Sequence, residues 1–157
     1  MIQIGFVGDW RKVKRLLPAL PLVIKAANEA GQKKAAEQLV TLVKRHIRKQ
    51  DLGWAEKSEN TRASDDRVLV DSGTYLKSIL AYKQGNTWNA GVPRNIYGPN
   101  GTRVADYAIY NEFGFGSRLP ARPLWGPSLK EMGGQAGIQK IIFKVIKLRV
   151  AALISTS

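Results

Sequence analysis

The chain has no cysteine and a single histidine, His46, in 157 residues. The first absence removes disulfide frameworks and thiol chemistry, and together the two remove the usual zinc sites. Long apolar runs are missing as well: nothing approaches the ~18 continuous apolar residues of a membrane-spanning helix. The opening MIQIGFVGDWRKVKRLLPAL sets its apolar stretch ahead of its basic cluster. That is the reverse of a secretory signal, so a soluble protein of a cytoplasm-like compartment is expected. Acidic residues are scarce, 12 against 25 Lys and Arg, which leaves a formal charge of +13. Residues 1–50 hold 11 basic and 3 acidic side chains, residues 51–100 hold 6 of each, and residues 101–157 hold 8 and 3. Both ends are therefore cationic and the middle is neutral. Such an excess points to polyanions, either nucleic acid or an acidic protein surface, without choosing between them.

What is present is enough for a core. With 44% hydrophobic residues and no internal repeat, residues 1–157 read as one domain. The polar stretch 51–66 is too short to separate two folded halves. Residues 2–6 have a rough period of two and suggest a strand ending at Gly8-Asp9. Pro18 and Pro21 make a natural entrance to a helix. From Leu22 to about Gln50, Ala27, Ala30, Ala36, Leu39, Val43 and Ile47 recur at helical steps, and Gly31 marks a bend or a close packing contact. His46, near the end of this helix, is read as a solvated or partly buried side chain rather than a ligand. After the polar loop 51–67, a short helix is expected over Thr74 to Leu80, with Tyr75, Leu76 and Ile79 on one side. Two short strands flank Gln84-Gly85-Asn86, and Pro99-Asn100-Gly101 gives another turn. A helical or extended piece carries Tyr107 to Phe113, and LWGPSLKEMG suggests a short helix. The closing GIQKIIFKVIKLRVAALI sets Ile138, Ile141, Ile142, Val145, Ile146 and Ile154 opposite Lys140, Lys144 and Lys147. Its β-branched richness keeps a strand open for part of it. The class is α+β: a long N-terminal helix and a C-terminal helix packed on a small antiparallel sheet.

Catalytic vocabulary is thin. Asp65, Asp66 and Asp71 form the densest acidic group, but neighbouring acids in a polar loop are ordinarily solvated turn residues. Ser72 in VDSGTY lacks the glycine that a nucleophile elbow needs on its other side, and a helix cap by Asp71 or Ser72 accounts for the pattern better. Gly114-Phe115-Gly116 has no third glycine three residues on, and no GK[ST] motif exists. No enzyme activity, metal or cofactor is expected. Two basic groups, Arg11, Lys12, Lys14 and Arg15 beside Trp10, and Lys44, Arg45, Arg48 and Lys49, are candidates for phosphate or acidic-partner contacts. Equally, they can be solvated helix faces. A nucleic-acid-binding module is the alternative function, although zinc-finger spacing, an RNP-type aromatic pattern and a recognition-helix pair are all missing.

The most unusual stretch is ADYAIYNEFGFGSRLPARPLWGPSL, Ala105 to Leu129, with five aromatics, three prolines and three glycines. Tyr107, Tyr110 and Phe113 stand at three-residue steps, along one flank of a helical turn. Glu112 lies within pairing reach of Arg118 and Arg122 in sequence. Pro120, Pro123 and Pro127 fix φ and lower the entropy of ordering. A stiff segment showing aromatics and arginines suits an interface. The other reading is that the aromatics finish the core and the prolines end a loop.

YAIYNEFG followed by LPARPLWGPSL resembles the signature of the tail-completion (neck) family of long-tailed bacteriophages, also described as virion morphogenesis or minor tail components. A second stretch, LVDSGTYLKSILAY, is similar to the family's Leu-x-Asp-(Thr/Ser)-Gly-x-Leu-x-x-Ser-Ile box. The resemblance spans roughly residues 22–150. Leu124-Trp125 stands where the family usually has Phe-Leu, and the basic extension 1–21 has no counterpart. The resemblance implies a long helix on a small antiparallel sheet and assembly into a ring of six subunits. That ring would lie in the virion neck, between the head connector and the tail tube or tail terminator, after assembly in the host cytoplasm. Duplex DNA would pass non-specifically through its lumen. It further implies that Tyr107, Tyr110, Glu112, Phe113, Gly114, Pro120, Arg122, Pro123 and Trp125 belong to a motif that fixes the loop and closing helix at subunit contacts. Gly114 and Gly116 would supply backbone freedom where side chains cannot fit.

Overall fold

The computed structural model describes residues 10–56, 69, 73–116 and 119–155, with the side chains of residues 10–12 excepted. Helix α1 (Trp10–Leu16) leads through a turn into the long α2 (Leu20–Lys49). Next come α3 (Thr74–Ser78), the strands β1 (Leu80–Gln84) and β2 (Thr87–Gly91), α4 (Val104–Phe113), α5 (Trp125–Glu131) and the closing α6 (Gly134–Ser155). The class is α+β, with the two long helices packed against the small sheet. The strand expected at residues 2–6 lies outside the described residues, as do Asp65, Asp66, Asp71, Ser72 and Arg118.

Helix α2 has 30 residues, a rod of roughly 45 Å at 1.5 Å per residue. Pro21 sits in its first turn, where no backbone N–H is missed. Arg48 and Lys49 in its last turn suit the negative end of the dipole. One face is built from small residues: Ala27, Gly31 and Ala35 are buried there. A Cβ placed on Gly31 would stand 2.9 Å from the Cα of Ile142. Gly31 therefore marks a close helix–helix approach: α6 runs antiparallel to α2, with Ile138 near Ala35 and Ile146 near Ile24. The helical period of the α6 stripe prevails over its β-branched composition because α2 offers a partner along its length. Ile154, at the far end of that stripe, is exposed.

The sheet is a two-stranded antiparallel hairpin, Leu80 opposite Gly91 and Gln84 opposite Thr87. Its two-residue loop begins with Gly85 at φ +60°, a conformation glycine adopts without strain. Helix α2 lies against it. The Gln32 side-chain oxygen accepts a hydrogen bond from the Trp88 amide, the Lys83 ammonium is 2.5 Å from Glu29, and the Lys33 ammonium stands over the Trp88 ring. At the other end of α2, Val43 and Ile47 meet Tyr75, Ile79, Val104 and Leu124 in the main core. Tyr75 and Ile79 thus face inward as their spacing suggests. The position before α3 is taken by Gly73 at φ +72°.

Two local expectations are corrected. Residues 10–16, in sequence only a basic cluster ahead of Pro18, form a helix. His46, expected to be solvated or partly buried, is fully buried, and both of its ring nitrogens are engaged. Nδ1 lies 2.5 Å from an Asp51 oxygen and Nε2 lies 3.0 Å from a Glu131 oxygen. Arg45 adds a bond to each Glu131 oxygen at 2.6 Å. The cluster thereby fastens α5 to the end of α2. Hydrogen bonding to Arg45, and secondarily its charge, holds the Glu131 carboxyl below the usual carboxylate range; the hydrogen bond from His46 does the same for Asp51.

Candidate interaction surface

Helix α4 begins where Arg103 is still extended and ends at Gly114. Val104, Ala108 and Asn111 repeat at four- and three-residue steps and face the core. The remaining arc is turned outward and is mostly apolar, with the exposed Asp106 among its residues. Tyr107, Ile109, Tyr110 and Phe113 are all exposed, Phe113 by 78%. Tyr107 meets Tyr75 edge-on at 6.0 Å, and Tyr110 lies 4.9 Å from the exposed ring of Phe115. Beside Tyr107 opens a cleft of about 300 Å³ walled by Tyr75, Pro99, Asn100, Arg103 and Val104. Solvent-facing aromatics in such number have little to do with the core, and a contiguous apolar patch marks a contact surface.

The other motif residues hold this surface in place from within. Glu112 does not pair with Arg122, as sequence proximity suggested. Its carboxylate accepts hydrogen bonds from the backbone amides of Leu124 at 2.7 Å and Trp125 at 3.2 Å, so it caps the start of α5. Arg122 is buried, and its guanidinium donates to the Glu56 carbonyl while its own amide donates to the Asn111 carbonyl at 2.6 Å. The Trp54 indole donates to the Pro123 carbonyl, and Trp125 packs against the core. Gly114 has φ +79°, and a Cβ there would come within 2.9 Å of the Leu119 carbonyl oxygen and 3.0 Å of the Ala121 amide. Gly116 also has positive φ, but a Cβ there meets nothing within 4 Å, so only its conformation calls for glycine. Of the nine motif residues, Tyr107, Tyr110, Phe113, Pro120 and Pro123 are exposed, whereas Glu112, Gly114, Arg122 and Trp125 tie the segment together.

The basic candidates also divide. Lys14, Arg15, Arg48 and Lys49 are exposed and Lys44 is half-buried. Arg45 is bound to Glu131 and leaves the set of candidate phosphate contacts. Arg11 and Lys12 lie on α1, their side chains outside the described residues. The two basic groups sit near opposite ends of α2 and do not form one patch. Sequence reasoning missed Ile109, whose exposure follows from the rotation of α4 about its axis, and Phe115, which lies beyond the helix in a bridge to Leu119. It also missed the apolar exposure of α6 at Phe143 and Leu148. Among the described residues, no three His, Asp or Glu side chains group as a metal site, and no helix is long and apolar enough to cross a membrane. Compared with protein-family models, curated proteins and solved structures, the chain has no significant match in any of the three.

Proposed function

We propose that the chain is a structural subunit of a phage neck, forming a ring that joins the head connector to the tail and lets DNA pass, with no catalytic step of its own. The observation that carries this reading is the outward aromatic face of α4, Tyr107, Ile109, Tyr110 and Phe113, on a segment braced from inside by Glu112, Gly114 and Arg122. A rigid apolar face loses little entropy on docking, which is what repeated subunit contacts require. The YAIYNEFG and LPARPLWGPSL motifs then have a physical meaning: one supplies the face, and the other is the strap that keeps it from moving. Exposed lysines and arginines, Lys14, Arg48 and Lys49 among them, supply a cationic field for DNA in transit or for acidic neighbours.

A photo-cross-linking amino acid at position 113, introduced during particle production, tests the reading. Chain-to-chain cross-links in finished particles are expected; particles in which position 113 links to no other copy contradict it. The rival nucleic-acid module is separated by filter binding at rising salt. A dedicated binder retains duplex near physiological salt, whereas the ring subunit alone does not.

A further inference from the structure

We infer that the outward face of α6 is a contact surface for the phosphate backbone of duplex DNA. Lys140, Lys144, Lys147 and Ala151 follow one another at four-, three- and four-residue steps, and so lie in one line along the helix. That line runs on the side away from Ile138, Ile142 and Ile146, which turn toward α2. All three lysines are exposed, and none pairs with a carboxylate of a described residue. No Asp or Glu occurs from Met132 to Ser157. On α2 the exposed lysines are interleaved with acids instead: Lys25 stands one turn before Glu29, and Lys33 lies 3.8 Å from Glu37. That mixed pattern serves solubility equally well, whereas like charges at three- and four-residue steps work against a helix. Nor do the lysines complement the α6 dipole, since its last turn holds no basic residue. An uncompensated line of one sign, kept against the preference of its own helix, points to an anionic partner.

Residue type and placement select the polyanion. Lysine is depleted at protein–protein interfaces, where arginine is enriched. As a mobile point charge it suits phosphates, which demand no fixed geometry from it. A membrane-surface helix buries its apolar face, and that of α6 is already packed on α2. Phe143 and Leu148, 66% and 61% exposed, flank the lysine line on opposite sides and form no face of their own. Single strands are held by successive stacked aromatics, and Phe143 is the lone aromatic of α6. A duplex carries one phosphate charge per ~1.7 Å of axis, the densest target for lysines spread over about 10 Å of helix. Neither basic group singled out from the sequence includes these three residues. The inference deepens the proposed function by naming the face that meets DNA. It rests on that reading for the source of the duplex, not for the contact itself.

The test uses the whole chain and a short duplex of mixed sequence. Weak binding is expected at low salt, falling steeply as salt is raised. The triple variant Lys140→Gln/Lys144→Gln/Lys147→Gln should flatten the plot of log affinity against log salt by about 2.7, three contacts at ~0.9 each. The control Lys25→Gln/Lys34→Gln/Lys77→Gln removes the same charge from exposed positions elsewhere, and should flatten it by less than half as much. Both variants should keep the wild-type circular dichroism spectrum, since all six side chains are exposed. Lysine acetylation read by mass spectrometry should show the α6 lysines protected by duplex, and Lys25, Lys34 and Lys77 unprotected. The inference is overturned by absent duplex binding at low salt, by equal effects of the two variants, or by α6 lysines acetylated equally fast with and without duplex. Tighter binding of a single strand, polyglutamate or phosphatidylglycerol vesicles through the same lysines overturns it too, as does self-association that the α6 variant abolishes. Retention of duplex near physiological salt through these lysines upholds the contact and contradicts the ring, on which cross-linking at position 113 reports separately. Either idea can therefore fail without the other.

Discussion

At the scale of single residues, Glu112 and Gly114 explain why a motif of mixed aromatics, prolines and glycines folds one way. Glu112 satisfies amides at the start of α5 that would otherwise lack partners near the fully buried Leu124. Charge-assisted hydrogen bonds contribute about 1.5–3 kcal/mol, so Glu112→Ala should lower unfolding stability by roughly 2 kcal/mol in urea titrations. Gly114→Ala should cost about 1–3 kcal/mol, and more than Gly116→Ala, because it adds a backbone collision to a strained φ. The cluster around His46 gives a pH dependence. Asp51 and Glu131 have folded pKa values below their unfolded ones, so their contribution is full above the ordinary carboxylate range near pH ~4. It is lost as pH falls through the lowered folded values. Between neutral pH and about pH 3, the wild type should therefore lose more stability than the Asp51→Asn/Glu131→Gln double variant. Equal losses would show that the cluster is not coupled to folding. None of these partnerships was legible in sequence, because His46 and Asp51 touch across a helix end while Glu131 arrives from a distant element. The pairing of Glu112 with Arg122 failed for a related reason: proximity along a chain does not say which way a carboxylate points.

At the scale of elements, sequence periodicity was a good guide wherever a helix or hairpin had a continuous partner. Helix α2, the β1–β2 hairpin around Gly85, α3 and α6 all stand close to where spacing and turn chemistry place them. Helix α1 was missed because an apolar residue every third or fourth position is hard to see in seven residues dominated by Arg and Lys. For α4 the sequence allows a helical or an extended piece, and the rotation that exposes Ile109 and Phe113 is set by Val104 and Asn111 seeking the core. Two glycines test the packing with opposite signs. Alanine is favoured over glycine inside a helix by about 1 kcal/mol. At Gly126 of α5 nothing stands within 4 Å of the added Cβ, so Gly126→Ala should raise the melting temperature. At Gly31 the Cβ would press on the backbone of Ile142, and overpacking of about 1–3 kcal/mol should outweigh the propensity gain and lower it. Thermal melts of the two variants side by side decide whether the α2–α6 contact is as close as described.

For the molecule as a whole, the distribution of surface matters more than any single site. A helix turns four large apolar side chains outward, and the carboxylates of Glu29, Asp51, Glu112 and Glu131 are engaged in ties within the chain. On the proposed reading, a protein so arranged acts through its surfaces. The sequence carried that conclusion through its composition and through the resemblance of two motifs, but it did not say which motif residues face out. The division between Tyr107, Tyr110 and Phe113 on the surface and Glu112, Gly114 and Arg122 beneath it needed the fold. The most direct measurement is cryo-EM of purified virions produced from the genome that encodes this chain. Copies arranged around the axis at the head–tail junction, with α4 at the boundary between neighbours, are the expected image. Complete, infectious particles that contain no copy of the chain would contradict the account.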